Sequence, residues 1–121
     1  MSKRILYVDD EDDIREVALM ALELDPLLDV RTCGSGDEAL AVARGWVPEL
    51  VLLDVMMPRM YGPATLAKLR EDPRLLQVPI VFITARTQAA ERQRLLALGA
   101  AGLIPKPFDP MTLAASVRAF F

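Results

Sequence analysis

The sequence contains no histidine and only one cysteine, Cys33. Zinc sites built from histidine and cysteine, Ser-His-Asp triads and Cys-His dyads are therefore excluded within this chain. Any metal ion that the chain binds must be a hard cation that accepts oxygen ligands.

Long apolar runs and runs of positive charge are also missing. No stretch approaches the roughly 20 apolar residues of a membrane-spanning helix, and residues 1–4 lead into a short strand-like run instead of a signal peptide. The 14 basic and 17 acidic residues give a net charge of −3, and the scattered arginines form no footprint for nucleic acid. We therefore expect a cytoplasmic protein that neither inserts into membranes nor binds nucleic acid directly.

The 121 residues suffice for one core-forming domain, which we assign to residues 1–121. Only 13 residues follow Phe108, which leaves room for a last helix and none for an effector domain. We expect a stand-alone protein that begins at Met1, with a piece excised from a larger regulator or hybrid kinase as the alternative.

Short apolar runs alternate five times with amphipathic stretches, which is typical of βαβ units that build a parallel sheet. The predicted strands are residues 5–8, 29–32, 50–53, 80–83 and 103–104. The predicted helices are residues 12–24, 35–44, 63–70, 88–98 and 109–120. Strands one, three and four are apolar without alternation, which indicates central strands covered on both faces. The sequence thus predicts an α/β fold with a doubly wound, five-stranded parallel sheet in the order 2-1-3-4-5.

Residues that typically begin or end helices and strands agree with these elements. Ser35 and Glu38 form a capping box before the second helix, and Gly99 follows the fourth helix as a stop signal. Pro105 lacks a backbone donor directly after strand five, which predicts a short edge strand.

Five of the 17 acidic residues lie consecutively at positions 9–13. Asp12 or Asp13 is the expected N-cap of the first helix, which leaves Asp9 and Asp10 without an obvious structural role. The charged run also argues against a flavodoxin-like cofactor module, because it would repel a phosphate.

Polar side chains follow the predicted strands where each strand ends. Asp9 and Asp10 follow strand one, Asp54 follows strand three, Thr84 follows strand four and Lys106 comes just after strand five. All lie at the edge where open α/β sheets bind ligands, and the acids fall beside the switch point between strands one and three. Close carboxylates repel unless a cation or protons neutralise them, and Mg²⁺ is the natural cation for oxygen ligands.

Each of these residues has a structural alternative: aspartates cap helices, threonines close turns and lysines are solvated. The combination is more specific and is typical of phosphoryl transfer to a carboxylate. Asp54 would attack phosphorus, and Mg²⁺ held by Asp9, Asp10 and Asp54 would offset the charge. Thr84 and Lys106 would hold the remaining phosphoryl oxygens, and the product would be an acyl phosphate.

Over essentially its whole length, the sequence resembles the receiver domain of bacterial two-component response regulators and is chemotaxis-receiver-like. The matching motifs are residues 5–11 (ILYVDDE), 50–58 (LVLLDVMMP) with Gly62, 81–85 (VFITA) and 106–108 (KPF). The resemblance implies a flavodoxin-like (βα)5 fold. It also implies a phosphorylation-activated signalling switch that supports its own phosphorylation and autodephosphorylation, and is not otherwise an enzyme.

The same resemblance implies a role for each matching residue. Asp54 would be the phosphoacceptor, Asp10 a direct Mg²⁺ ligand, and Asp9 a partner acting largely through water. Met56 would offer its backbone carbonyl to the metal. Thr84 and Lys106 would bind the phosphoryl group, and the Lys106-Pro107 bond would be cis.

Partners also follow from the resemblance. The phosphoryl donor would be a histidine kinase or a histidine phosphotransfer protein, docking around the first helix and the last loop. The candidate docking residues are Ile14, Arg15, Ala18, Pro107 and Phe108, of which Ile14 and Ala18 could equally belong to the core. An output protein would bind the face of helix four, strand five and helix five, which carries Arg92, Arg94 and Arg118; these arginines could also be an ordinary solvated face.

One position departs from the family pattern, and two others lie where the family tunes the lifetime of the phosphoryl group. Leu103 lies three residues before Lys106, where many receivers place an aromatic residue that reports phosphorylation. Met56 and Arg86 flank the approach of a hydrolytic water, and Met56 cannot hydrogen-bond to that water, which predicts a long-lived phosphoryl group.

Two other classes of protein compete with this interpretation. Haloacid-dehalogenase-like phosphatases also form an aspartyl phosphate but need a carboxylate two residues after the nucleophile, where this chain has Met56. A degenerate receiver that only binds a partner is disfavoured, because every phosphorylation residue is present.

Overall fold

The computed structural model describes residues 2–57 and 60–121, so Pro58 of the second motif lies outside the described residues. The strands are β1 Lys3–Val8, β2 Leu28–Cys33, β3 Leu50–Asp54, β4 Ile80–Thr84 and β5 Gly102–Pro105. The helices are α1 Asp12–Glu23, α2 Gly36–Gly45, α3 Gly62–Leu69, α4 Ala89–Ala97 and α5 Leu113–Arg118. A short 3₁₀ turn at Pro73–Leu75, which the sequence analysis did not predict, precedes β4.

All five strands are parallel and lie in the order β2-β1-β3-β4-β5, which confirms the predicted α/β fold and sheet topology. The central strands β3 and β4 are buried along their whole length, and β5 is an edge strand as Pro105 predicted. Within residues 2–57 and 60–121, no helix has the length and apolar character needed to cross a membrane.

Helices cover both faces of the sheet and form two cores. Successive side chains of a strand point to opposite faces, so Leu52 and Leu53 belong to different cores. Leu52 packs with α1 and α5, whereas Leu53 packs with α2, α3 and α4. This arrangement leaves the carboxyl ends of β1 and β3 side by side, where the helices diverge to opposite faces.

Two helix boundaries agree with the predicted start and stop signals. The Ser35 hydroxyl accepts a hydrogen bond from the backbone N–H of Glu38 at 3.1 Å. Gly99 follows α4 with a φ of 104°, a conformation that favours glycine.

Two other boundaries were predicted wrongly. The N-cap position of α1 is Glu11, not Asp12 or Asp13, because the Asp9 carboxylate already accepts from the Glu11 backbone N–H at 3.0 Å. The last helix begins at Leu113 instead of residue 109. Asp109 accepts from the Met111 backbone N–H at 2.9 Å through its side chain, which folds residues 109–112 into a turn.

Gly62 connects the start of α3 to the end of β3. Its backbone N–H donates to the Val55 carbonyl at 2.8 Å. A Cβ atom at this position would lie 2.6 Å from the Asp54 carbonyl oxygen and 2.9 Å from the Val55 Cα. The close approach of backbone to backbone therefore requires glycine.

We expect the substitution Gly62→Ala to lower the free energy of unfolding by about 1 to 3 kcal/mol, because the added methyl forces the backbone apart. The matched control is Gly45→Ala at the end of α2, where an added Cβ meets nothing within 4 Å. The control should leave stability unchanged or raise it by less than about 1 kcal/mol. Urea unfolding followed by the fluorescence of the single, buried Trp46 measures both; equal effects of the two variants would contradict the steric argument.

Candidate functional site

Three carboxylates meet at the carboxyl ends of β1 and β3. Asp9 and Asp10 directly follow β1, and Asp54 is the last residue of the neighbouring β3. One oxygen from each of the three side chains lies within 4.8 Å of the others. Asp9 and Asp54 are buried and Asp10 is exposed, so the cluster is open to solvent on one side. The structure thus brings together the three acids that the sequence analysis assigned to a metal site.

Lys106 is the cation of this cluster. Its ammonium lies 3.0 Å from Asp9 Oδ2, 3.0 Å from Glu11 Oε1 and 3.5 Å from Asp54 Oδ2. Burial acts to lower the pKa of Lys106, but hydrogen bonds to Asp9 and Glu11 raise it above its ordinary value. The backbone N–H of Lys106 donates to the Thr84 carbonyl at 2.9 Å, and the bond to Pro107 is cis. The lysine is therefore protonated and directed toward the acids.

The charges of the cluster do not balance. Burial, and then the charge of Asp9, raise the pKa of Asp54 to about 6, although Lys106 acts in the opposite direction. Within the described residues, the ammonium of Lys106 lies among three aspartates and Glu11, so the carboxylates outnumber it. A divalent cation would supply the missing positive charge, and the all-oxygen donor set fits Mg²⁺.

An open cavity of about 190 Å³ lies beside Asp54. It is lined by Glu11, Asp54, Val55, Met56, Thr84, Ala85, Arg86 and Lys106. Thr84 ends β4 at the rim of this cavity, and its hydroxyl accepts from the Arg86 backbone N–H at 3.0 Å. Thr84 thus lies at the site. Its hydroxyl also closes a local turn, which is the structural role that the sequence analysis named as the alternative for this residue.

The candidate docking residues on α1 differ in accessibility. Arg15 is half-buried, and its guanidinium donates to the Asp9 backbone carbonyl at 2.7 Å and pairs with Asp12. Ile14 is half-buried against the core of α1 and α5. Ala18 is 0% exposed, so its assignment to a partner surface is wrong: it packs in the core, the alternative named for it.

The remaining predicted positions lie around the end of β5 and on α4 and α5. Pro107 is exposed, and Phe108 is half-buried with its ring edge toward Tyr7. Leu103 is half-buried and packs against the core formed with α2, α3 and α4. All three output-face arginines, Arg92, Arg94 and Arg118, are exposed; Arg94 pairs with Glu91 and Arg118 with Asp25.

The sequence analysis missed two residues that contact the cluster. Tyr7 donates its hydroxyl to Asp9 Oδ2 at 3.1 Å, and Glu11 contacts Lys106. Strand alternation could have identified Tyr7, because residues two apart on a strand point to the same face. Nothing in the sequence signalled the contact of Glu11, since its side chain meets Lys106 only through the fold.

Comparison with known proteins identifies the class to which this fold and site belong. The family model for the response regulator receiver domain matches residues 5–118, and the chain belongs to this family. The response regulator Rre1 of Synechocystis is 39% identical over 114 residues, which is 94% of this chain and 49% of Rre1. The response regulator PleD of Caulobacter vibrioides is 40% identical over 119 residues, which is 98% of this chain and 26% of PleD. The chain thus spans half or less of these curated relatives.

A solved structure of similar size supports the same assignment. The chemotaxis response regulator CheY4 of Vibrio cholerae superposes with a TM-score of 0.93 at 31% identity, covering 100% of both chains. The order of the strands and the placement of the acids at their carboxyl ends are therefore those of a receiver domain, a protein of two-component signalling.

The raised pKa of Asp54 makes a prediction about stability. Between the ordinary carboxyl pKa of 3.8 and the folded value of about 6, the folded protein binds more protons than the unfolded chain. The contribution of Asp54 to stability is therefore fully present below its ordinary pKa of 3.8, and it is lost as the pH rises through about 6. Relative to the wild type, Asp54→Asn should gain about 1 to 2 kcal/mol in unfolding free energy near neutral pH and little near pH 4. Urea unfolding across this pH range in chelator measures the difference; a difference independent of pH would contradict the assignment.

Proposed function

We propose that this chain is a Mg²⁺-dependent phosphorylation switch that accepts a phosphoryl group on Asp54 from a phosphohistidine. The observation that carries the proposal is the position of Asp54, which lies at a cavity wall within reach of Lys106 and beside Asp9 and Asp10. The donor would be a histidine kinase or a histidine phosphotransfer protein, since this chain contains no histidine of its own.

The proposed reaction moves one phosphoryl group between two side chains. A carboxylate oxygen of Asp54 attacks phosphorus, a new P–O bond forms, and the P–N bond to the donor imidazole breaks. The electron pair of that bond leaves with the imidazole, which takes its proton from solvent. The product is an acyl phosphate on Asp54. The ammonium of Lys106, 3.5 Å from Asp54, would bind a phosphoryl oxygen and stabilise the charge in the transition state.

Asp9, Asp10, Asp54 and the backbone carbonyl of Met56 would hold the Mg²⁺ ion. When bound, the ion supplies the positive charge that lets a carboxylate approach an anionic phosphoryl group. The elevated pKa of Asp54 supports this assignment, because a carboxylate that is partly protonated near pH 6 is a weak nucleophile until a cation favours its ionised form.

Conversion to the active state would begin at Thr84. To donate to a phosphoryl group on Asp54, the Thr84 hydroxyl must turn its proton away from the Arg86 carbonyl, to which it donates at 3.4 Å. A phosphoryl group carries about −1.5 to −2 charge units and strong acceptors, so it competes well for this hydroxyl. Raising a resting active population from about 1% to about 99% takes about 5.5 kcal/mol of differential binding. Leu103 offers no aromatic ring to follow Thr84, so the signal would pass through residues 85–88 to α4.

The active state would act through contacts with other proteins. The donor would dock at α1 and the loop after β5, where Ile14, Arg15, Pro107 and Phe108 remain as candidates. The output partner would bind the face of α4, β5 and α5. We keep a receiver that acts alone as the proposal, with a piece of a longer regulator, such as the longer relatives Rre1 and PleD, as the alternative.

Phosphorylation is tested by intact-protein mass after incubation with a small phosphodonor and Mg²⁺. We expect one added phosphoryl group, lost in Asp54→Asn and in chelator, because both remove a component of the transfer. Failure of the wild type to gain mass, together with failure to bind beryllofluoride and Mg²⁺, would contradict the proposal and favour a binding module that is independent of phosphorylation.

The lifetime of the acyl phosphate gives a second test. Met56 is 67% exposed and apolar, so its side chain cannot orient a water for hydrolysis. The exposed Arg86 lines the same cavity and would reach toward the phosphoryl group. The double variant Met56→Asn with Arg86→Glu should lose phosphate about tenfold faster, which corresponds to about 1.4 kcal/mol of barrier. Loss of the phosphoryl mass over time measures the rate, and Leu76→Asn, an exposed apolar change elsewhere, is the control. An unchanged or slower rate in the double variant would contradict the assignment of these positions.

A further inference from the structure

Tyr7 is a buried polar residue that the proposed reaction does not use. Its side chain is 0% exposed and lies in the core between the sheet and helices α1 and α5. Its hydroxyl donates to Asp9 Oδ2 at 3.1 Å. Asp9 directly follows β1, two residues after Tyr7, and the alternation of side chains along a strand directs both residues to the same face of the sheet.

The surroundings of Tyr7 hold its ring in one place. Tyr7 pairs with Leu52 on β3 and Thr32 on β2, and the Phe108 ring meets it edge to face with centroids 6.5 Å apart. A ring enclosed on these sides moves little, so its hydroxyl is a stationary donor. The Asp9 carboxylate follows the last residue of β1 and depends on its hydrogen-bond donors for its orientation.

Asp9 is held by three donors from different parts of the fold. Its Oδ2 accepts from Tyr7 and from Lys106 at 3.0 Å, and its Oδ1 accepts from the Glu11 backbone N–H at 3.0 Å. Lys106 is also shared with Glu11 and Asp54, and would turn toward an incoming phosphoryl group. Among the described residues, the Tyr7 hydroxyl hydrogen-bonds only to Asp9, so it is the side-chain donor that would stay on Asp9 Oδ2, beside the Glu11 backbone N–H on Oδ1.

We propose that Tyr7 is a positioning residue for the metal site: its buried hydroxyl fixes the orientation of the Asp9 carboxylate beside Asp10 and Asp54. The inference rests on the proposed function, since it concerns Mg²⁺ binding at these acids. Outer groups that orient a metal-binding carboxylate in this way typically account for about a tenfold or larger change in metal affinity.

The test compares Mg²⁺ dissociation constants, measured by calorimetric titration of the unphosphorylated protein. Tyr7→Phe removes the hydroxyl and keeps the ring, and we expect about a tenfold weaker affinity. Tyr61→Phe makes the same chemical change at the other, half-exposed tyrosine. Ile5→Val trims the same core two residues earlier on β1 and controls for lost stability. Both controls should bind Mg²⁺ within about twofold of the wild type.

The outcomes separate this inference from the proposed function. Weaker binding in Tyr7→Phe alone, with a melting temperature no lower than that of Ile5→Val, supports positioning by the hydroxyl. Unchanged or tighter Mg²⁺ binding in Tyr7→Phe overturns the positioning role of Tyr7 and leaves the proposed function intact. An equal loss of affinity in Ile5→Val has the same consequence, because it would indicate a general effect of core packing. Absence of Mg²⁺ binding by the wild type itself would overturn both.

Discussion

The site depends on the contact of one ammonium, that of Lys106, with carboxylates at the ends of β1 and β3. Lys106 reaches Asp9 and Asp54 from the end of β5, the far edge of the sheet. The contact is not enough to neutralise the acids, and the pKa of Asp54 stays elevated. Burial between packed strands, and then the nearby charge of Asp9, disfavour the ionised form of Asp54, and a bound cation would offset both effects.

The two hydrophobic cores, one on each face of the sheet, hold the residues of the site in place. On the face of α1 and α5, the Tyr7 ring carries a hydroxyl up to Asp9. On the other face, Gly62 lets α3 begin directly against the backbone of Asp54. The three aspartates thus lie at the ends of the well-packed strands β1 and β3. Thr84 and Arg86, by contrast, belong to a turn that the Thr84 hydroxyl closes. The rigid part of the site would bind the metal ion, and the more easily altered part would report phosphorylation.

Strand identity could be predicted because it depends on patterns that are local in sequence, whereas the order 2-1-3-4-5 was favoured over a second order that is common in doubly wound folds. Apolar runs without alternation mark β3 and β4 as central, and the acids at strand ends identify the functional edge. The wrongly predicted boundaries share a cause: at Asp9 and at Asp109, a carboxylate bonds to the backbone N–H two residues later. Such a turn competes with a helical start, and residue type alone does not show which of the two forms.

By itself the sequence determined the fold class, the strands and the residues at their carboxyl ends, since hydrophobic period and residue type are properties of the chain. Only the tertiary structure decided which groups touch. It placed Ala18 in the core, directed Lys106 to Glu11 as well as to the aspartates, and connected the Tyr7 hydroxyl to Asp9. The physical reason is that contacts between side chains depend on packing between elements distant in sequence, and no local pattern encodes a distance of 3 Å across a sheet.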